Sequence, residues 1–106
     1  MILFKESPLF TKLVRNYLND DEYAALQWAL ASHPEAGDII QGSGGLRKLR
    51  WNAQGRGKRG GLRVIYYWRS TRGDIWLLTI YAKNEAENIP AHILRRIKEE
   101  VDDEKT

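Results

Sequence analysis

Residues 42–68 read GSGGLRKLRWNAQGRGKRGGLRVIYYW and place two short apolar runs on either side of a glycine-rich basic loop. Between Asp38 and Asp74 the chain carries no acidic residue, although nine of its 17 lysines and arginines lie in that interval. These nine are Arg47, Lys48, Arg50, Arg56, Lys58, Arg59, Arg63, Arg69 and Arg72. Because a surface of one sign attracts ligands of the opposite sign, this asymmetry predicts a polyanionic partner.

The apolar runs beside the loop have the residue types of β-strands. They are rich in β-branched and aromatic side chains and are bounded by turn-forming segments. We expect strands over residues 46–51, 62–69 and 75–83, joined by a long loop at 52–61 and a tight turn at 70–73. Three strands connected in this order form an antiparallel meander.

The N-terminal segment predicts a strand followed by a helix. Residues 1–6, MILFKE, have strand-favouring side chains. Ser7 and Pro8 are a capping residue and a proline at the first helical position, so we expect a helix from there to about Leu18. Its buried stripe consists of apolar residues at helical spacing: Leu9, Phe10, Leu13, Val14 and Tyr17.

A second helix is expected directly after the first. Asn19 or Asp20 caps its N-terminus, and the dipeptide His33–Pro34 ends it. Tyr23, Leu26 and Leu30 mark its buried side. The two helices together are expected to form a hairpin that covers one face of the sheet.

The C-terminal segment predicts a last helix. It opens at Pro90, and its apolar side carries Ile93, Leu94, Ile97 and Val101. A chain of 106 residues is long enough for one core, so we expect a single domain over residues 1–106. The predicted fold class is α+β, with an antiparallel sheet, a helical hairpin on one face and a C-terminal helix.

Strand alternation assigns the side chains of the three strands to two faces, because successive residues point to opposite sides. The side facing the helices is expected to carry Leu49, Trp51, Val64, Tyr66, Trp68, Trp76, Leu78 and Ile80. The other side then carries Lys48, Arg50, Arg63, Tyr67, Thr79, Tyr81 and Lys83. Cations interleaved with tyrosines on an uncovered face suit single-stranded RNA. The alternative is an ordinary solvated sheet face.

The loop at 55–60, GRGKRG, formally matches the dinucleotide-binding pattern GxGxxG. That pattern works where a strand leads into a helix whose N-terminus holds the pyrophosphate. Here the loop is followed by residues 62–68, which have strand-forming side chains, and the next acid, Asp74, falls at a turn. We therefore interpret the loop as a basic arm that follows a phosphate backbone.

Composition argues against several other kinds of site. The chain has no cysteine, which excludes disulfides, thiolate metal ligands and a cysteine nucleophile. His33 and His92 show no metal-binding or acid–base pattern. No apolar run approaches the roughly 18 residues of a membrane span, and no leader peptide is recognisable. We expect a soluble, cytoplasmic protein without a metal or cofactor.

Three separated motifs, GSGGLRKLRW, GKRGGLRVIYYW and LLTIYAKNE, resemble the RelE/HigB toxins of bacterial type II toxin–antitoxin systems. The resemblance spans the whole chain, and the glycine-rich basic loop is similar to that of the HigB branch. It implies a metal-independent endoribonuclease that cuts mRNA in the ribosomal decoding site and inhibits translation. A ribose 2′-OH attacks the adjacent phosphate and leaves a 2′,3′-cyclic phosphate. The implied partners are a cognate, HigA-like antitoxin, the 70S ribosome and mRNA.

The resemblance also implies roles for individual residues. The catalytic set is Lys48, Arg50, Arg63 and Lys83. One of the first two assists proton abstraction, Arg63 stabilises the phosphate and is also a candidate acid, and Lys83 falls where the family often has an arginine. The RNA-binding residues are Arg47, Arg56, Lys58, Arg59, Tyr67 and Tyr81. Where RelE proper has a catalytic tyrosine in the final segment, this chain has Ile89.

Two other functions are compatible with the same scaffold. A ParE-like relative would inhibit gyrase and would not need the aligned cations. A plain RNA-binding module would bind RNA without cutting it. Assays of mRNA cleavage on programmed ribosomes and of DNA supercoiling discriminate among the three.

Overall fold

The structure is a computed structural model that describes residues 1–52, 61–85 and 89–104, with side chains to Val101 in the last range. The elements are β1 (Leu3–Glu6), α1 (Pro8–Val14), α2 (Asp20–Ser32), β2 (Asp38–Ile39), β3 (Arg47–Trp51), β4 (Leu62–Arg69), β5 (Asp74–Ala82) and α3 (Ala91–Glu104). No helix of these ranges is long and apolar enough to cross a membrane.

Local capping positions the two N-terminal helices. The Ser7 side chain accepts a hydrogen bond from the Phe10 N–H and donates one to the Leu78 carbonyl, which ties the start of α1 to β5. Asn19 and Glu22 form a reciprocal capping box at α2, so Asn19 is the N-cap.

Helix α1 ends at Val14, earlier than the expected end near Leu18. The N–H groups of Asn16 and Tyr17 bond to carbonyls three residues back, which tightens the chain into a turn before the cap at Asn19.

The five strands form one sheet in the order β1-β5-β4-β3-β2. The pairs β5–β4, β4–β3 and β3–β2 are antiparallel, and β1 joins the outer edge of β5 in parallel. The predicted α+β class is confirmed: the protein has a five-stranded sheet and three helices. The parallel edge strand is an addition, made possible because the helical hairpin and the meander separate β1 from β5 along the chain.

Two apolar clusters lie on opposite sides of the sheet. The first packs the hairpin of α1 and α2 against what we call the hairpin face, and its fully buried members include Phe10, Leu26, Leu30, Val64, Tyr66, Ile75, Leu77 and Ile80. The second packs α3 against the opposite face, which we call the basic face, and contains Leu46, Ile65, Trp76, Leu78, Tyr81, Leu94 and Val101.

A bulge in β5 overturns part of the face assignment. Ile65 is paired with Thr79 and Tyr66 with Leu77, so Leu78 is an extra residue in the ladder. Trp76 and Leu78 consequently lie on the basic face instead of the expected hairpin face. Ile80, beyond the bulge, points to the hairpin face as predicted.

The expectation that no helix covers the basic face is also wrong. Leu94 and Val101 of α3 are 1% and 3% exposed, because they pack on the apolar middle of that face. Lys48, Arg50 and Arg63, which project from the same face, are not part of the buried cluster.

Candidate functional site

Two arginines stand directly opposite each other on the basic face. Arg50 of β3 is paired with Arg63 of β4, and Arg63 is paired in turn with Tyr81 of β5. Directly opposed residues in an antiparallel pair have Cα atoms about 4.5–5.5 Å apart. Strand pairing therefore brings together two arginines that are 13 positions apart in sequence.

Two lysines complete this group, which we call the basic cluster: Lys48, Arg50, Arg63 and Lys83. Lys48 lies two residues from Arg50 and is paired with Ile65, so it projects from the same face. Lys83 directly follows β5, and its backbone N–H donates to the Gly61 carbonyl at 3.1 Å.

That hydrogen bond places Lys83 beside the start of β4, at the same end of the sheet as Arg63. Gly61 has a φ of +62°, and a Cβ there would lie 2.1 Å from Oδ1 of Asn52. Glycine is therefore required at this approach of the two strand ends.

Exposure and charge make the basic cluster a candidate anion site. Arg50 and Lys83 are exposed, while Lys48 and Arg63 are half-buried. The Arg63 Nη1 donates to the Leu62 carbonyl at 3.1 Å, which orients the guanidinium along its own strand. Like charges directly opposite on neighbouring strands repel, so an anion bound between Arg50 and Arg63 would relieve the repulsion.

Of the two tyrosines expected to stack on RNA bases, Tyr81 is buried and Tyr67 is partly buried. Tyr81 is only 8% exposed, and its burial raises the pKa of its hydroxyl against the opposing effect of nearby Arg63. The Lys98 Nζ of α3 lies 4.7 Å from the centroid of the Tyr67 ring. Burial leaves little of the Tyr81 ring open to stacking, while Tyr67 lies against α3 with part of its surface exposed.

Several predicted RNA contacts are not brought to the basic cluster. Arg47 is paired with Tyr66 and projects from the hairpin face, where its Nη1 donates to the Glu35 and Gly37 carbonyls. Arg69, which belongs to the nine cations between Asp38 and Asp74 but not to the predicted RNA contacts, forms a buried bidentate pair with Asp74 at the far end of β4. The loop cations Arg56, Lys58 and Arg59 lie outside the described residues.

A hydrogen bond between Tyr17 and Glu85 supports the segment that carries Lys83. The Glu85 carboxylate accepts from the Tyr17 hydroxyl and from the Ala82 N–H. Burial, followed by this hydrogen bond, raises the pKa of Tyr17 to about 12, and the same bond lowers the pKa of Glu85. Sequence reasoning missed this pair because its partners are 68 positions apart and carry no shared motif.

The described side chains contain no group of three or more His, Cys, Asp or Glu residues that could hold a metal ion. The arrangement has the chemistry of a cationic site: two guanidinium groups fit phosphate oxygens, and two amines can donate or accept protons.

Comparison with solved structures identifies the fold, although no protein-family model matches the chain. A double arginine-to-alanine variant of E. coli toxin RelE in the free state has a TM-score of 0.59 at 14% identity. The alignment covers 91% of this chain and 95% of RelE. In the intact E. coli RelBE toxin–antitoxin complex, the matched chain has a TM-score of 0.57 at 13% identity, with 76% and 94% covered.

A third similar structure is the solution structure of the conserved hypothetical protein HP0892 from Helicobacter pylori. Its TM-score is 0.58 at 17% identity, and the alignment covers 80% of this chain and 98% of HP0892. At these identities the likeness shows the fold alone. The resemblance to RelE is confirmed at that level, while the narrower resemblance to the HigB branch stays a prediction.

Proposed function

We propose that this chain, which has the fold of the RelE toxin, is the toxin of a type II toxin–antitoxin pair. Its activity is a metal-independent endoribonucleolytic cut of mRNA in the ribosomal decoding site, which inhibits translation. The observation that carries the proposal is the basic cluster, in which strand register sets Arg50 directly opposite Arg63. A gyrase inhibitor on the same scaffold would have no use for this alignment.

The proposed reaction is attack of the ribose 2′-OH on the adjacent phosphate, with release of the 5′ oxygen. The 2′ O–H bond and the P–O5′ bond break, a new P–O2′ bond forms, and the products are a 2′,3′-cyclic phosphate and a 5′-OH end. This reaction needs a base, an acid and cations near the phosphate, where negative charge accumulates in the transition state.

The four side chains of the basic cluster differ in whether they can stabilise phosphate charge or transfer a proton. Arginine stays protonated in proteins, so Arg50 and Arg63 stabilise the phosphate charge through their planar forks. Proton transfer then belongs to the two amines, Lys48 and Lys83, one acting at the 2′-OH and the other at the leaving oxygen. The Tyr17–Glu85 hydrogen bond supports the turn on which Lys83 lies.

The proposed partners follow from the same function. The RelBE neighbour is itself a toxin–antitoxin complex, which supports a cognate antitoxin as partner; our proposal is a HigA-like one. The proposed substrate is mRNA on the 70S ribosome, and the proposed compartment is the cytoplasm.

A cleavage assay with matched arginine variants tests the proposal. The purified protein is added to ribosomes programmed with a defined mRNA, and the new 5′ ends are mapped. Arg63→Ala should lower the cleavage rate about 10²–10³-fold, the loss typical of one transition-state donor. Arg72→Ala is the control, because Arg72 is an exposed arginine in the turn at the far end of the sheet. It should cut at the wild-type rate.

Three outcomes would replace the proposal. Equal activity of folded Arg63→Ala and wild-type protein would remove the basic cluster as the site. Intact mRNA together with inhibited supercoiling would favour a ParE-like gyrase inhibitor. RNA that is bound but recovered whole would favour a binding module without catalysis.

A further inference from the structure

A groove of about 770 Å³ runs beside β3, and Arg50 is the one member of the basic cluster among its lining residues. Its walls are the C-terminal end of α2, with Ala29 and His33, and the strand residues Leu49, Trp51 and Trp68. The volume lies within the range of about 300–1,000 Å³ that is usual for binding sites, and its lining is mostly apolar.

Over Leu49–Trp51, the outer edge of β3 beside this groove has no neighbouring strand within the described part of the chain. Strand β2 has two residues, and it pairs with Arg47 and Lys48 only. Before β2 the chain turns away, because the Ala36 N–H donates to the His33 carbonyl. The residues from Leu49 to Trp51 therefore present a strand edge to the groove.

The hydrogen bonds around the Pro34–Gly37 bend hold it in this position. The Tyr66 hydroxyl donates to the Pro34 carbonyl and accepts from the Gly37 N–H. The Arg47 guanidinium donates to the Glu35 carbonyl at 3.3 Å and to the Gly37 carbonyl at 2.8 Å. These bonds hold the chain before β2 in the bend, and β2 begins only at Asp38.

Backbone alternation shows which polar groups face the open edge. The Ile40 N–H donates to the Leu46 carbonyl at 2.8 Å, so Leu46 turns its backbone groups toward β2. In an antiparallel strand, the backbone groups of alternate residues point to the same neighbouring strand, so Lys48 and Arg50 point to the same side as Leu46. Because β2 does not extend as far as Arg50, the N–H and C=O of Arg50 face the open edge. In addition, the indole Nε1 of Trp51 is buried without a hydrogen-bond partner among the described residues.

We propose that an extended segment of a partner protein adds as a strand to the Leu49–Trp51 edge of β3. Alternate side chains of that segment are apolar and enter the groove beside Leu49, Trp51 and Trp68. The side chains between them are acidic, and they lie on the basic face next to Arg50. Main-chain hydrogen bonds provide affinity in this mode of recognition, and the alternating pockets provide specificity.

The charge pattern of the segment follows from the register of β3 and β4. Arg50 already has Arg63 opposite it on one side, a repulsive cross-strand pair. An acidic residue on an added strand would stand opposite Arg50 on its other side, where an attractive pair stabilises the sheet. The proposal rests on the proposed function only for the source of the segment, which is the antitoxin.

Peptide binding tests the proposed edge directly. The probe is an acetylated eight-residue peptide of alternating glutamate and valine, titrated by calorimetry against the full-length protein. Two control peptides are used: one of the same composition with the glutamates and valines in separate blocks, and one with proline at a central position. The alternating peptide should bind, and both controls should bind about tenfold more weakly or not at all, because they lose the alternation or a ladder N–H.

Matched helix variants locate the bound peptide. Ala29→Arg fills the groove from α2 and should weaken binding about tenfold or more. Ala25→Arg places the same side chain at an exposed position of the same helix and should bind as the wild type does. Protection of the Arg50 amide from hydrogen exchange should rise on peptide addition. Equal binding by both variants, equal binding of the block peptide, or no binding by the wild type would overturn the proposal.

The peptide-binding experiment can fail or succeed independently of the mRNA cleavage assay. Ala29 lies outside the basic cluster, so Ala29→Arg should cut mRNA on ribosomes at the wild-type rate. Peptide binding in a protein that cuts no mRNA would refute the catalytic proposal alone. Cleavage by a protein that binds no alternating peptide would refute the edge proposal alone.

Discussion

Arg69 and Asp74 form a bidentate ion pair beside the turn that joins β4 to β5. The Nε–Oδ1 and Nη2–Oδ2 distances are 2.8 Å and 2.6 Å, and both side chains are almost fully buried. Lys5 lies 3.5 Å from the same carboxylate, and both cations lie within 6 Å of the Trp76 ring centroid, at 5.5 Å for Lys5 and 5.9 Å for Arg69. This cluster links β1, β4 and β5 and explains why Arg69 is a structural residue.

Asp74→Asn should destabilise the fold because it leaves the Arg69 charge buried without a counter-ion. Breaking one partner of a buried pair costs about 3–5 kcal/mol, measured as the free energy of unfolding in urea. Asp20→Asn is the control: Asp20 faces Arg15 across an exposed pair at 3.5 Å, whose loss should cost about 0–1 kcal/mol. Similar losses in both variants would contradict the assignment.

The Asp74 carboxylate also predicts how the free energy of unfolding depends on pH. The hydrogen bond from Arg69 is the main cause that lowers the pKa of Asp74 in the folded protein, so the folded pKa lies below the unfolded value of about 3.9. The stabilisation is therefore fully present above that unfolded value and is lost as the pH falls through the folded pKa. The stability difference between wild type and Asp74→Asn should shrink in unfolding curves recorded at decreasing pH below about 4. A stability difference between the two proteins that stays constant as the pH falls would contradict a lowered pKa of Asp74 in the folded state.

At the scale of single elements, α2 depends on its N-terminal cap. Asn19 Oδ1 accepts from the Glu22 N–H, and Glu22 Oε1 accepts from the Asn19 N–H, both at 2.8 Å. Asp20 and Asp21 add negative charge in the first turn, where the helix dipole favours it. The sequence left Asn19 and Asp20 as alternative caps, and only backbone geometry distinguished them.

Asn19→Ala should lower the free energy of unfolding by about 1 kcal/mol, because one N–H of the first turn loses its acceptor. Ser32→Ala at the other end of the helix is the comparison, since its exposed Oγ only donates to the Trp28 carbonyl. Its effect should lie within about 0.5 kcal/mol of zero. An Asn19→Ala protein as stable as Ser32→Ala would argue against the capping box.

At the scale of the whole molecule, the sheet separates two apolar cores, one covered by α1 and α2 and the other by α3. The hairpin core is anchored by two helices and is continuous with the buried face of β4 and β5. The core under α3 is anchored chiefly by Leu94 and Val101 of one helix. Local stability should therefore be lower under α3 than under the hairpin.

Leu94→Ala and Leu26→Ala test this difference by hydrogen exchange, since the leucines are 1% and 0% exposed in the two cores. Leu94→Ala should remove protection mainly from α3, because its docking loses a buried side chain. Leu26→Ala should lower the free energy of global unfolding by about 2–5 kcal/mol and reduce protection throughout the sheet. A uniform loss of protection in Leu94→Ala would show that the two cores unfold as one.

The candidate site was predictable where it depended on regular strands. Alternation within β3 and β4 correctly placed Lys48, Arg50 and Arg63 on one face, because no bulge interrupts that pairing between its ends. The same rule failed for Trp76 and Leu78, since an extra residue in β5 has no glycine or other local signal in the sequence.

Local sequence was sufficient to predict the starts of α1 and α3, the three long strands and the concentration of cations between Asp38 and Asp74. Caps, side-chain periodicity and charge segregation each act over a few residues. Tertiary structure alone decided that α3 covers part of the basic face, that Arg47 leaves the cluster, and that β2 stops short of Arg50. Each of these depends on contacts between residues that are distant in sequence, such as Tyr66 with the Pro34–Gly37 bend. Their free energies arise only when the sheet has assembled.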